Sequence, residues 1–124
     1  MNNQNYYILY IEDESAMVDL VSRALKPSGY QVTPATSGRQ GLAMIHKRKP
    51  DLVLLDLMMP GVNGWDVYRE MKSNAHLTDI PVIALSARPL EKTGVIIKEL
   101  PPVDDYFVKP LDMEALISSV ERLL

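Results

Sequence analysis

The sequence predicts a doubly wound α/β domain built on a five-stranded parallel sheet, and three observations carry that prediction. Short apolar, β-prone runs alternate with stretches of helical periodicity along the whole chain. Two of the runs, 52–55 and 82–85, are apolar without interruption, the pattern of parallel strands covered on both faces. Connections between runs are short, which implies right-handed β-α-β crossovers and helices on both sides of the sheet.

Strands are expected at Tyr7–Ile11, 30–33, 52–55, 82–85 and 106–108. The second is half polar and is followed by Pro34, which cannot donate to a ladder, so it belongs at an edge. The runs at 52–55 and 82–85 belong at the centre. Met17, Leu20, Val21, Ala24 and Leu25 mark the apolar stripe of a first helix, which Pro27, Ser28 and Gly29 terminate. Leu42 with Ile45, and Val67 with Tyr68 and Met71, mark two weaker stripes; Met113, Leu116, Ile117, Val120 and Leu124 mark the last helix. In the segment 89–100, Gly94 and the β-branched Val95, Ile96 and Ile97 lower helix propensity before Pro101 and Pro102 stop it. The fourth of five helices is therefore expected to be short or irregular.

At 124 residues the chain fits one domain, taken as 1–124 with an ordered core from about residue 6. Its 47% hydrophobic and 23% charged residues are those of a soluble globular protein and exclude disordered and fibrous classes. The net charge is −3 and the basic residues are scattered, so this domain is not expected to bind nucleic acid. Without cysteine there is no disulfide, thiolate metal site or cysteine nucleophile, which fits a reducing compartment. The first seven residues lack a signal peptide's charge and apolar core, and no run nears the roughly eighteen apolar residues that span a bilayer. No membrane association and a cytoplasmic location are expected.

In a doubly wound sheet, functional groups gather where the winding reverses, at the C-terminal ends of the strands. The residues that follow the expected strands are Glu12 and Asp13, then Asp56, then Ser86, then Lys109 before Pro110. Three carboxylates in one crevice need a cation or a proton, since two unit charges about 4 Å apart repel by roughly 4 kcal/mol at an effective dielectric near 20. All-oxygen ligation on an open rim favours Mg²⁺ or a similar hard ion, which would also attract a phosphoryl donor. Asp56 could then act as a nucleophile and form an acyl phosphate, with Lys109 and the Ser86 hydroxyl binding the added oxygens. Singly these residues mean little: Glu12 with Asp13 reads as a solvated charge run, Asp56 as a loop acid, and Tyr106 as a half-buried strand aromatic. Trp65 and the methionines read as core or helix-face residues, and His46 and His76 as solvated. The conjunction at successive strand ends makes the case.

These residues, in this order, resemble the receiver domain of bacterial response regulators, the phosphoacceptor module of two-component signalling. The resemblance rests on Ile11, Glu12, Asp13 and Glu14; on Asp56, Leu57, Met58, Met59, Pro60 and Gly61 with Asn63 and Gly64; on Leu85, Ser86 and Ala87; and on Asp104, Asp105, Tyr106, Phe107, Val108, Lys109 and Pro110. It implies a flavodoxin-like fold with strand order 2-1-3-4-5. It implies Asp56 as phosphoacceptor, and Asp13, Asp56 and the Met58 carbonyl as Mg²⁺ ligands, with Glu12 acting through a metal-bound water. Ser86 and Tyr106 would be the switch pair, and Lys109 would bind a phosphoryl oxygen beside a cis bond to Pro110. The implied partners are a sensor histidine kinase or phosphotransfer protein, then a docking protein or a covalently linked output domain. Signalling would leave through the face of the fourth helix, fifth strand and fifth helix. The pair Pro101 and Pro102 departs from the family pattern, which usually has Gly-Ala before the Asp-Asp-Tyr run. Met58 and Arg88, two residues beyond Asp56 and Ser86, are positions expected to set the phosphoryl lifetime. Apolar Met58 cannot orient an attacking water, so slow hydrolysis is expected.

Three rival functions fit the sequence less well. A phospho-aspartate phosphatase resembling haloacid dehalogenases would need a second acid where Met58 stands. An FMN binder would need a hydroxyl-rich phosphate loop where Glu12, Asp13 and Glu14 stand. A degenerate receiver that only binds protein would not need the intact acceptor, acid pair and lysine.

Overall fold

Side chains alternate across each strand, and in this protein the alternation separates two cores. The structure, a computed structural model, describes residues 6–59, 61, 63–87 and 102–124. Its strands are β1 (Tyr7–Ile11), β2 (Gln31–Ala35), β3 (Leu52–Asp56), β4 (Val82–Ser86) and β5 (Asp105–Val108). Its helices are α1 (Ser15–Leu25), α2 (Gly38–Lys47), α3 (Gly64–Ser73) and α4 (Met113–Leu123). All strand pairs are parallel, in the order β2-β1-β3-β4-β5. Leu9, Ile11, Val53, Leu55, Val82 and Ala84 pack with Ile45 of α2 and with Val67, Tyr68 and Met71 of α3. Their neighbours Ile8, Tyr10, Leu52, Leu54, Ile83 and Leu85 pack on the other face with Val21 and Leu25 of α1 and Leu116 and Val120 of α4. All five residues of β1, β3 and β4 are buried, which explains their nearly unbroken apolar sequences.

The expected edge strand is at the edge, starting one residue and ending two residues further on than the sequence suggests. Tyr30 lies just before β2, buried against Tyr6, and the strand runs through Pro34 to Ala35. Two more strands extend past their apolar runs, so Asp56 and Ser86 are the last residues of β3 and β4 and not the first residues after them. Both side chains are buried at these strand ends, Asp56 beside the Lys109 ammonium. The first helix ends as read: a 3₁₀ turn at Lys26–Ser28 closes on Gly29, whose φ of 87° is the left-handed conformation glycine tolerates. Leu20, counted in its apolar stripe, is 51% exposed because the covered face is narrower than the sequence pattern. Ser37, Asn63 and Asp112 cap α2, α3 and α4 by accepting from the backbone N–H three residues on. The expected fourth helix, at 89–100, and Arg88 lie outside the described residues, so α4 is the fifth helix of the sequence reading. No helix among the described residues is long and apolar enough to cross a membrane.

Candidate functional site

The winding reverses between β1 and β3, whose C-terminal ends deliver the acids. Glu12 follows β1, and its N–H continues the ladder by donating to the Ala35 carbonyl at 2.9 Å. Its side chain is 1% exposed, Asp56 is 3% exposed, and Asp13 next door is open to solvent. One carboxylate oxygen from each of Glu12, Asp13 and Asp56 lies within 4.8 Å of the others. Lys109 directly follows β5; its N–H donates to the Ser86 carbonyl at 2.7 Å, which pins the end of β5 to the end of β4. From there its ammonium reaches Glu12 Oε1 at 2.9 Å and Asp56 Oδ2 at 3.4 Å. The Lys109–Pro110 peptide is cis, as the resemblance implies.

Electrostatics follow from this crowding. Burial, reinforced by hydrogen bonding to Asp56, pushes the Glu12 carboxyl well above the usual carboxylate range despite the opposing pull of Lys109. Burial alone would depress the Lys109 ammonium, yet its hydrogen bond to Glu12 and the charge of Asp56 outweigh that and raise it. Three carboxylates face one ammonium, so the cluster is under-neutralised. Its donors are all hard oxygens on a partly open rim, a set that fits Mg²⁺ or a similar divalent ion.

The other expected site residues have distinct placements. The Met58 N–H donates to Asp56 Oδ1 at 3.0 Å and orients the carboxylate, while the Met58 side chain is 50% exposed. Ser86 is fully buried at the end of β4. Tyr106 pairs with Ala84 in the β4–β5 ladder and packs, half-buried, against the α2/α3 core. Alternation places Ser86 and Tyr106 on that same face of the sheet. His46 and His76 are exposed, and Trp65 packs edge-on against Tyr68, in keeping with their ordinary readings.

Tyr10 escaped sequence reasoning, and Gly64 entered it only within the resemblance, without a role. Tyr10, two residues before Glu12 on the same face of β1, donates its hydroxyl to Glu12 Oε1 at 3.0 Å. Burial and the neighbouring Glu12 raise its own phenol. Gly64, at the start of α3, lies against the backbone of Asp56 and Leu57. The second tyrosine in Tyr-Ile-Leu-Tyr-Ile and the Gly after Asn63 were the available signals.

Comparisons with known proteins identify the family of the chain. A family model described as the response regulator receiver domain matches residues 8–121. The DNA-binding dual master transcriptional regulator RpaA of Synechocystis is 38% identical over 121 residues, covering 94% of this chain and 48% of RpaA. Protein PilH of Pseudomonas aeruginosa is 32% identical over 117 residues, covering 94% of this chain and 96% of PilH. Like RpaA, PhoB of Pseudomonas aeruginosa is about twice as long as the match, at 35% identity and 51% coverage of its length. The signal receiver domain of a histidine kinase from Syntrophus aciditrophicus superimposes with a TM-score of 0.86 at 31% identity, covering 95% of this chain and 89% of that one. TrrA of Thermotoga maritima, solved in complex with Mg²⁺ and BeF, superimposes with a TM-score of 0.82 at 28% identity over 100% of both chains. Matched by that family model from β1 into its last helix, and sharing more than 30% of its residues with a relative of nearly its own length, this chain belongs to the response regulator receiver domains of two-component signalling.

Proposed function

We propose that the chain is a phosphoacceptor switch in which Asp56 takes a phosphoryl group from a sensor histidine kinase or a phosphotransfer protein. The observation that carries this reading is the clustering of carboxylate oxygens from Glu12, Asp13 and Asp56 within 4.8 Å of one another, with the Lys109 ammonium paired to Glu12 and Asp56. A carboxylate oxygen of Asp56 attacks phosphorus; the O–P bond forms as the P–N bond to the partner histidine breaks, and the imidazole leaves with the electron pair. The Met58 N–H holds the carboxylate in one orientation for that attack. Lys109 binds an oxygen of the arriving group, and the Ser86 hydroxyl donates to another. Glu12, Asp13, Asp56 and the Met58 carbonyl would hold Mg²⁺, Glu12 through water; when bound, the ion neutralises charge on the carboxylates and phosphoryl oxygens.

Phosphorylation then shifts an existing equilibrium by stabilising the active state more than the resting one. Ser86 moves toward the phosphoryl group and the Tyr106 ring turns inward, which alters the face of β5 and α4. Receiver domains are signalling switches and not turnover enzymes on external substrates. RpaA and PhoB, half of whose length this chain spans, are named as transcriptional regulators, which supports a joined output domain; the match to nearly all of PilH supports a separate docking protein as the other route. The domain itself contacts neither nucleic acid nor membrane and works in the cytoplasm.

Incubation with acetyl phosphate or phosphoramidate, with and without Mg²⁺, followed by intact mass measurement, tests the reading. One phosphoryl group should be gained by the wild type with Mg²⁺ and none by Asp56→Asn. No gain in a folded wild-type protein would leave a phosphorylation-independent binding module. The same spectra followed over time give the acyl-phosphate lifetime. A lifetime of seconds would reject slow hydrolysis at a site whose Met58 side chain cannot orient water.

A further inference from the structure

Glu12 Oε1 has two donors: the Lys109 ammonium at 2.9 Å and the Tyr10 hydroxyl at 3.0 Å. The two differ in freedom. Lys109 ends in the open crevice on a long, flexible stem and also approaches Asp56 Oδ2 at 3.4 Å. Tyr10 is 0% exposed, held between β2 and β3 in a core that includes Val21, Leu54 and Leu85. Its ring cannot leave without opening that core, and its hydroxyl meets a carboxylate at the core's upper boundary.

We propose that Tyr10 is a positioning residue that keeps Glu12 Oε1 partnered when Lys109 turns to the phosphoryl group on Asp56. The inference rests on Asp56 being the phosphoacceptor. One ammonium has three hydrogens, and moving it toward oxygens beyond Asp56 lengthens or breaks its contact with Glu12. Glu12 Oε2 keeps the Glu14 N–H at 3.4 Å, but Oε1 of this 1%-exposed carboxylate, left without a donor, is costly to retain. The Tyr10 hydroxyl limits that cost, so Lys109 can change partners while Glu12 stays in place to hold its water.

The test uses the full chain and Tyr10→Phe, which keeps the ring and removes the donor. Mg²⁺ alone, then beryllium fluoride at saturating Mg²⁺, is titrated while Trp65 fluorescence and ¹⁹F resonances are recorded. In Tyr10→Phe, Lys109 still partners Glu12 before the phosphoryl analogue binds, so Mg²⁺ affinity should stay within about twofold of wild type. Affinity for the fluoride complex should fall about tenfold, the factor that one hydrogen bond to a charged group supplies. Equal affinities for both probes, or an equal loss for both, would overturn the proposal, because a packing role alone would not split them. In the wild type, a slowly exchanging Tyr10 hydroxyl proton should persist after the fluoride complex binds; its loss on binding would equally overturn the proposal. A wild type that takes up no fluoride complex would overturn the phosphoacceptor reading first and this inference with it, whereas normal uptake by both proteins overturns this inference alone.

Discussion

Gly64 shows how closely the acceptor is built into the backbone. A Cβ at this position would overlap the Asp56 carbonyl oxygen and lie 2.6 Å from Leu57 Cα, against main-chain atoms that cannot swing aside. The Gly64 N–H also donates to the Leu57 carbonyl at 3.3 Å, so α3 and the end of β3 are fixed to each other. Gly64→Ala should cost about 1–3 kcal/mol in urea unfolding, the usual range for overpacking. It should also slow phosphoryl uptake by tenfold or more, since small misplacements of a reacting group are expensive. A stability loss with an unchanged uptake rate would show that the contact serves packing only. The strand-end acids, Ser86 and Lys109 were legible because the fold rule names where functional groups must lie. Tyr10 was not, because a tyrosine in an apolar run reads as packing; Gly64 was visible as part of the resemblance, but its contact with the Asp56 and Leu57 backbone, made through an absent side chain, was not.

At the scale of elements, the sheet is closed at the end opposite the site by two acids in equivalent places. Asp51, just before β3, accepts from the Tyr7 N–H that opens β1, at 2.7 Å; Asp104, just before β5, accepts from the Val82 N–H that opens β4, also at 2.7 Å. Each acid satisfies a donor that the ladder has not yet reached. Asp51→Ala should lower stability by about 1 kcal/mol and leave phosphoryl uptake unchanged, because a five-residue strand puts the site roughly 16 Å away. Uptake that fell along with stability would show that the two ends of β1 are coupled. This device is not legible in the sequence, because an acid just before a strand does not show which backbone donor its carboxylate will meet. The strands themselves were legible, since a sheet covered on both faces forces nearly continuous apolar runs. Their last residues were placed one position short where the run gives way to Asp56 and Ser86. Leu20 was misjudged because a periodic stripe gives the direction of a covered face and not its width.

Across the whole molecule, two apolar cores on opposite faces hold the sheet, and the cluster of like charges sits where the strands from both cores end. The cores stabilise the fold without a cation, whereas the cluster opposes it, since Glu12 and Asp56 are buried beside Asp13 with one ammonium among them. A divalent ion that binds the folded crevice and not the unfolded chain must therefore stabilise the protein by mass action, by about 2.7 kcal/mol at a hundred times its dissociation constant. For a chain of this length that corresponds to a rise in thermal midpoint of about 10 °C. Calorimetry in EDTA and in rising Mg²⁺ should show a midpoint that climbs with the logarithm of the ion concentration. Asp13→Asn should flatten that climb while raising the midpoint in EDTA by about 3 °C, because it removes one of the repelling charges. A wild-type midpoint independent of Mg²⁺ would reject the metal site. A variant destabilised in EDTA would mean that Asp13 supports the fold, and the conflict between stability and charge argued from the cluster would then be absent.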